Sequence, residues 1–275
     1  MLELIVDKEQ SLKEFTENNY AQASFFWNYL LKNKEIKLNG KKISADQKVY
    51  KGDIVSYFLT KKQAEKPAFY IVYEDENVII TDKEDGVNSE AVFAALLRES
   101  KTKNTECYFI HRLDRNTKGL LIFAKNAVAE CTLLNAFKTH RVDKTYHALC
   151  FGAPPKDKDV LSAYLKKNAE GALVRIYDEP VLGAEKILTE YRVLECSAET
   201  SKLEITLHTG KTHQIRAHLA HIGCPIVGDM KYGATAKNKA LNCTRQRLVA
   251  KRLSLSLEGE LSCLSGREFV SRFDV

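Results

Sequence analysis

The chain has 275 residues, 44% hydrophobic and 28% charged, with 42 Lys and Arg against 36 Asp and Glu for a formal net charge of +6. That length holds one large domain or a small domain beside a medium one. The composition is that of an ordinary globular protein with a core to bury. The basic surplus is compatible with nucleic acid as a partner without demanding it. The seven Cys (107, 131, 150, 196, 224, 243 and 263) form no C-x-x-C pair and sit in otherwise apolar segments, as reduced thiols do. MLELIVDKEQ carries acids and leads into no long apolar run, so no signal peptide is expected, and no stretch reaches the roughly eighteen apolar residues of a membrane span. A cytoplasmic protein is expected.

In chain order, Ser11 is placed to cap a short helix through LKEFTEN, and residues 21–33 (AQASFFWNYLLKN) read as a second, amphipathic helix. IKLNGKKI and DIVSYFL follow as strand-like runs, with Asn39-Gly40 turning the first back on its continuation. Charge in this part is lopsided: residues 1–17 carry five acids and two Lys, residues 32–53 seven Lys and three acids. Lys32, Lys34, Lys37, Lys41 and Lys42 could form a solvated hairpin face or a surface that meets phosphate. Residues 60–68 (TKKQAEKPA) are polar, Lys-rich and Pro-containing, which suits a linker. The expected domains are therefore residues 1–62 and 68–275.

Beyond Pro67, FYIVYEDENVIITDK reads as two strands around a turn, AVFAALLRES as a helix, and CYFIHRLD and GLLIFAK as strands. Residues 128–140 read as a helix, YHALCFG, ILTEYRVLECS and SKLEITLHT as strands, and QIRAHLAHIG as a short helix stopped at Gly223. Strands outnumber helices without a βαβ rhythm, so the fold class is α+β.

Three segments carry charge where a core forbids it. FIHRLDRNTKGLLIFAK sets Asp114 between Arg112 and Arg115, with His111 just before. As an isolated string this is either a solvated loop or a carboxylate held ionised at a cleft edge. TGKTHQIRAHLAHIG puts Arg216 in an apolar helix, where a guanidinium needs an anion. KTYHAL sets Tyr146 at the start of a strand. His208, His213, His218, His221 and Cys224 are also close in sequence, but no H-E-x-x-H or paired-Cys spacing frames them, so no metal is expected.

HRLDRNTKGLLIFAK, KTYHA and TGKTHQIRAHLAHIGCPIVGDMKYG together resemble, in order, the signature motifs of the RluA-type pseudouridine synthases, which modify ribosomal and transfer RNA. RLVAKRLSLSL resembles a weaker form of the family's closing motif. In front of them, KLNGKKI and VYKGDIV resemble the αL RNA-binding module of a small-subunit ribosomal protein, though AQASFFWNY replaces its usual basic second helix. The resemblance implies a catalytic domain on a mixed, mainly antiparallel sheet with flanking helices, plus a small N-terminal αL-like domain. It implies isomerisation of uridine in structured RNA, ribosomal RNA before transfer RNA, with no cofactor, no metal and no obligate protein partner.

By the same resemblance Asp114 is the catalytic carboxylate, Arg216 its partner, and Tyr146 the residue that stacks on uracil and helps take the C5 proton. Arg112 would enter the RNA stack as the base flips out, a step expected because sugar and base faces are blocked inside a helix. His111, Arg115 and the five N-terminal lysines would contact RNA. Two departures touch substrate choice: Thr81-Asp82-Lys83-Glu84-Asp85-Gly86 stands where the family has N-K-P-A-G, and Lys118 stands where it has Ser. A non-catalytic RNA-binding protein on the same scaffold is the rival reading.

Overall fold

The computed structural model describes residues 1–24, 26–168 and 173–275. They divide into two compact units, one of Met1–Ala68 with Val87–Cys107, the other of Phe69–Gly86 with Tyr108–Val275.

The first unit holds a four-stranded antiparallel sheet of β1 (Leu2–Ile5), β6 (Ile54–Tyr57), β3 (Ile36–Leu38) and β4 (Lys41–Lys42), in that order, and a small pair of β2 (Gln10–Ser11) with β5 (Lys48–Val49). Ser11 caps helix α1 (Leu12–Asn19), its side chain accepting from Glu14 N at 3.0 Å. The helix expected over 21–33 is described as two pieces, α2 (Ala21–Ser24) and α3 (Trp27–Lys32), while Phe25 lies outside the described residues. Trp27, Leu30 and Leu31 of α3 are buried with Leu12, Phe15, Ile36, Val55 and Tyr57. The Asn39-Gly40 turn has both residues at positive φ, and the Asn39 amide bonds Asp53 and Ile54 N.

The polar segment at 60–68, read as a linker, contains a helical turn, α4 (Lys61–Ala64). Thr60 and Gln63 close a capping box around it, a signal the Lys-rich composition hid. Helix α5 (Ser89–Thr102) groups with this unit: it lies against α1 and α2, and Arg98 reaches the Glu17 carbonyl at 3.1 Å. The chain thus passes between the units after residues 68, 86 and 107.

Among the described residues, eleven strands form the sheet of the second unit. They are β7 (Phe69–Glu74), β8 (Val78–Lys83), β9 (Tyr108–Phe109), β10 (Lys118–Ala124), β11 (Val142–Phe151), β12 (Lys158–Lys167), β13 (Val174–Tyr177), β14 (Glu185–Cys196), β15 (Thr200–Leu207), β16 (Leu248–Leu255) and β17 (Glu268–Val270). The order is β13-β12-β14-β15-β11-β16-β10-β8-β7, with β17 on β16 and β9 on β10. The β10–β16 pair is parallel and the other pairs are antiparallel. This is the mixed, mainly antiparallel α+β architecture that the sequence reading expects.

Helix α6 (Ala127–Lys138) buries Ala129, Leu133 and Ala136 with Ile80, Leu120 and Ile122 of the sheet. Helix α7 (Gln214–His221) lays Ala217 on Ala163, Leu165, Val174 and Ile187. A short α8 (Thr235–Ala240) precedes β16. No helix among the described residues is long and apolar enough to cross a membrane.

Candidate active site

Asp114 sits in the loop between β9 and β10, and hydrogen bonds within the second unit fix that loop. The Asp114 carbonyl accepts from Thr117 N at 3.0 Å, closing a turn. The fully buried Lys83 donates from Nζ to the carbonyls of Glu84 (2.9 Å) and Arg115 (3.2 Å). Arg115 Nε reaches the Gly86 carbonyl at 3.1 Å, and Gln246 Nε2 reaches Thr117 Oγ1 at 3.0 Å. Strand β10 alternates apolar residues into both faces, so the polar loop is left at the strand's start where the core ends.

Arg216 comes from α7, whose first turn is locked to the sheet by a buried amide. Gln214 Nε2 donates to Leu188 O and Thr189 Oγ1, each at 3.0 Å, while its Oε1 accepts from Thr209 Oγ1 at 2.9 Å and Lys211 N at 3.1 Å. Arg216 Nη1 then meets Asp114 Oδ2 at 2.8 Å. Its other edge makes a two-point bond to Asp229, Nε to Oδ2 at 2.7 Å and Nη2 to Oδ1 at 3.0 Å. Asp229 is 1% exposed, and its Oδ1 also accepts from Lys231 N at 2.8 Å and Tyr232 N at 3.1 Å, so both carboxylate oxygens are hydrogen-bonded.

Burial works against the charge on Arg216, but Asp229 and then Asp114 outweigh it and raise its pKa. Burial likewise opposes ionisation of Asp229, and Arg216 reverses that, leaving the Asp229 pKa lowered. Arg216 and Asp229 are therefore charged together. Tyr232 covers the guanidinium, its ring 5.2 Å from Arg216 Cζ. Its hydroxyl accepts Val174 N–H at 2.8 Å and lies 2.9 Å from His213 Nδ1. With that hydrogen given to Nδ1, the proton of a neutral His213 sits on Nε2, which lies 3.8 Å from Asp114 Oδ2. Burial lowers the pKa of His213, which favours that neutral form.

A cavity of about 290 Å³ opens beside this arrangement, lined by Arg112, Asp114, Lys144, Tyr146, His213 and Arg216 among others. Tyr146 is buried in its wall, and its pKa is raised by burial and then by the Asp114 charge, so its phenol is protonated near neutrality. His111 is held in the wall by protein contacts: Nε2 accepts from Ile122 N at 3.2 Å, and the ring stacks on Phe137 at 4.6 Å. Burial drops its pKa to about 3.

A model of the family described as RNA pseudouridylate synthase matches residues 64–221. The chain is 32% identical over 228 residues to "Ribosomal large subunit pseudouridine synthase C" of Rickettsia bellii, covering 74% of this chain and 75% of that protein. The chain belongs to the RNA pseudouridine synthase family. This synthase is also 29% identical over 248 residues to "Ribosomal large subunit pseudouridine synthase D" of Buchnera aphidicola, covering 84% of its own length and 77% of that protein. Among solved structures, "Human RNA Pseudouridylate Synthase Domain Containing 1" superposes with a TM-score of 0.61 at 27% identity, over 70% of the synthase and 81% of that chain. It is an enzyme that isomerises uridine to pseudouridine in RNA.

Of the residues singled out in the sequence, the structure brings Asp114, Tyr146, Arg216, Arg112 and His111 to one cavity. Arg115 is exposed in the same loop as Asp114, and the five lysines belong to the other unit. The histidine cluster is dispersed into separate bonds: His208 to Glu190, His213 to Tyr232, His218 to Thr189 and His221 to Asp178. Asp229 was missed. Its signal was present in GDMKYG, an acid between two glycines that a surface turn explains equally well. Both glycines are crowded, since a Cβ on Gly228 would lie 1.9 Å from the Arg245 carbonyl and one on Gly233 2.2 Å from that of Asp229.

Proposed function

We propose that Asp114 is the catalytic carboxylate of this synthase, acting on a uridine flipped into the cavity, and that its target lies in large-subunit ribosomal RNA. The observation that carries the first part is the single Arg216–Asp114 bond at 2.8 Å: Arg216 is anchored by Asp229, so one Asp114 oxygen is positioned and the carboxylate still faces the cavity. In the reaction the N1–C1′ bond breaks, the base turns, and C5 bonds to C1′. The C5 proton leaves to solvent and N1 takes one up, so atoms balance without oxidant or reductant.

Tyr146, protonated and buried, suits stacking on the uracil better than acting as a phenolate base, which narrows the role the family resemblance offers. Arg112 is the residue to fill the gap in the RNA stack, Arg115 meets backbone beside it, and His111 shapes the cavity wall. The ribosomal target is supported by the names of the two bacterial relatives, with transfer RNA second. The N-terminal unit is read as an αL-like RNA-binding module whose Lys32, Lys34, Lys37, Lys41 and Lys42 meet phosphate. Action in the cytoplasm, without an obligate protein partner, completes the proposal.

The test uses tritium release from ribosomal RNA transcribed with uridine labelled at C5. The parent protein should release tritium, and Asp114→Asn, which keeps size and removes charge, should release none above background. Release by Asp114→Asn near the parent rate would sink the assignment.

A further inference from the structure

The catalytic cavity contains a cation that the Asp114 arrangement leaves unused. Lys144 lies on β11 two residues before Tyr146, so both side chains leave the same face of the strand and both line the cavity. Its ammonium lies 5.2 Å from the centroid of Phe137, whose ring is stacked on the neutral imidazole of His111. Two other cations in this wall face carboxylates. Arg216 faces Asp114 and Asp229, and Lys211 is paired with Glu185. No carboxylate pairs with Lys144 among the described residues. Asp143, the next residue along, points to the exposed side of the strand.

A half-buried ammonium on an aromatic ring gains a modest cation–π attraction, which does not replace the hydration it has lost. Burial accordingly lowers the pKa of Lys144, with Asp143 only partly opposing it. A charge left in this state at a binding cavity is matched when a ligand brings the opposite sign. Lys144 and Tyr146 are about 7 Å apart along the strand, at roughly 3.3 Å per residue. That is the order of separation between a pyrimidine and the phosphate of its own nucleotide. A uracil carbonyl is neutral and would leave the charge unmatched, whereas a phosphodiester oxygen matches it.

We propose that Lys144 is a phosphate anchor of the catalytic cavity, its ammonium holding a non-bridging oxygen of the phosphodiester attached to the uridine beside Asp114. This rests on the reading that the cavity receives that uridine. The anchor fixes the nucleotide at its backbone while Tyr146 packs on its base, so the sugar between them is presented to Asp114.

The experiment measures equilibrium binding of a large-subunit ribosomal RNA transcript across a series of salt concentrations. Full-length Asp114→Asn protein is the reference, so that no product forms, and Lys144→Met and Lys144→Arg are added to it. Met keeps the stem on Phe137 and removes the charge; Arg keeps the charge. Lys144→Met should weaken binding about 10-fold and reduce the slope of log affinity against log salt by about 1 in magnitude, and Lys144→Arg should restore the slope. An unchanged slope, with or without lost affinity, overturns the proposal, because the lost contact was then to an uncharged group or to none. Tritium release by the parent on the same transcript is read separately. Its absence would count against the assigned reaction, while the slope comparison would still decide whether Lys144 meets phosphate.

Discussion

Arg216 carries one positive charge between two carboxylates, and the two bonds to Asp229 decide where the third can go. Asp229→Asn keeps the side chain's size while removing the charge that holds the guanidinium. Breaking a buried pair costs on the order of 3–5 kcal/mol, and a misplacement near 1 Å at a reacting group costs about 10²-fold in rate. Urea denaturation and single-turnover tritium release should show both losses. A variant with the parent's rate would mean that Asp114 is positioned without Arg216. Buried histidines give a second outcome at this scale. His218 is held neutral in the fold, its pKa lowered to about 4 by burial and then by the neighbouring His221. An unfolded imidazole titrates near 6.5, so its contribution to stability is complete above about pH 6.5. It is lost as pH falls toward the folded value, at roughly 1.4 kcal/mol per pH unit. His218→Gln should flatten the fall of the urea midpoint between those pH values, and an unaltered fall would show that other groups control it.

Gly119 sets the geometry at the scale of elements. It lies at the parallel junction of β10 and β16 with φ +112, and a Cβ there would stand 2.3 Å from the Ala250 carbonyl. Gly86 also has positive φ (+78) but open space around it. Gly119→Ala should therefore cost well above the ~1 kcal/mol of backbone strain alone, and Gly86→Ala about that strain alone; chemical denaturation of the two variants side by side checks the difference. Equal costs would mean that the sheet shifts freely at this junction. Most elements were legible in the sequence because alternation and helical spacing reflect burial directly. The broken helix at 21–33 and the capped turn in the Lys-rich segment were not, since composition there masks the local hydrogen bonds. Asp85 and Lys118 make the same point about the site. Read separately, each departs from the family's pattern, yet their side chains meet at 3.7 Å and Asp85 also approaches Arg245. A contact across more than thirty residues leaves no periodic trace in one sequence. Arg216 was legible as needing an anion because a charge in an apolar setting demands a partner, but that the anion is Asp114 came only from the family resemblance.

At the scale of the whole molecule, the N-terminal unit contributes charge without contributing to the cavity. Lys32, Lys34, Lys41 and Lys42 are exposed, while Lys37 lies 5.2 Å from the Phe58 ring. Deleting residues before Phe69 would test their role poorly, because α5 groups with the unit that would be removed. Substitution in the full chain avoids that. Changing the five lysines to Gln removes charge and leaves the buried Trp27, Leu30, Ile36 and Val55 untouched. If these lysines meet roughly three phosphates, the slope of log affinity against log salt should fall in magnitude by about 2–3. The rate at saturating RNA should stay near the parent's, because Asp114, Tyr146 and Arg216 all lie in the other unit. Lys144 predicts a change of about 1 in the same slope, and since the two sets lie in different units, the two effects should add. Binding of a ribosomal RNA transcript by the parent and the five-fold variant, over the same salt series, decides it. Identical slopes would mean that the lysines face solvent, and that the αL-like pattern of this unit serves the fold and not the RNA.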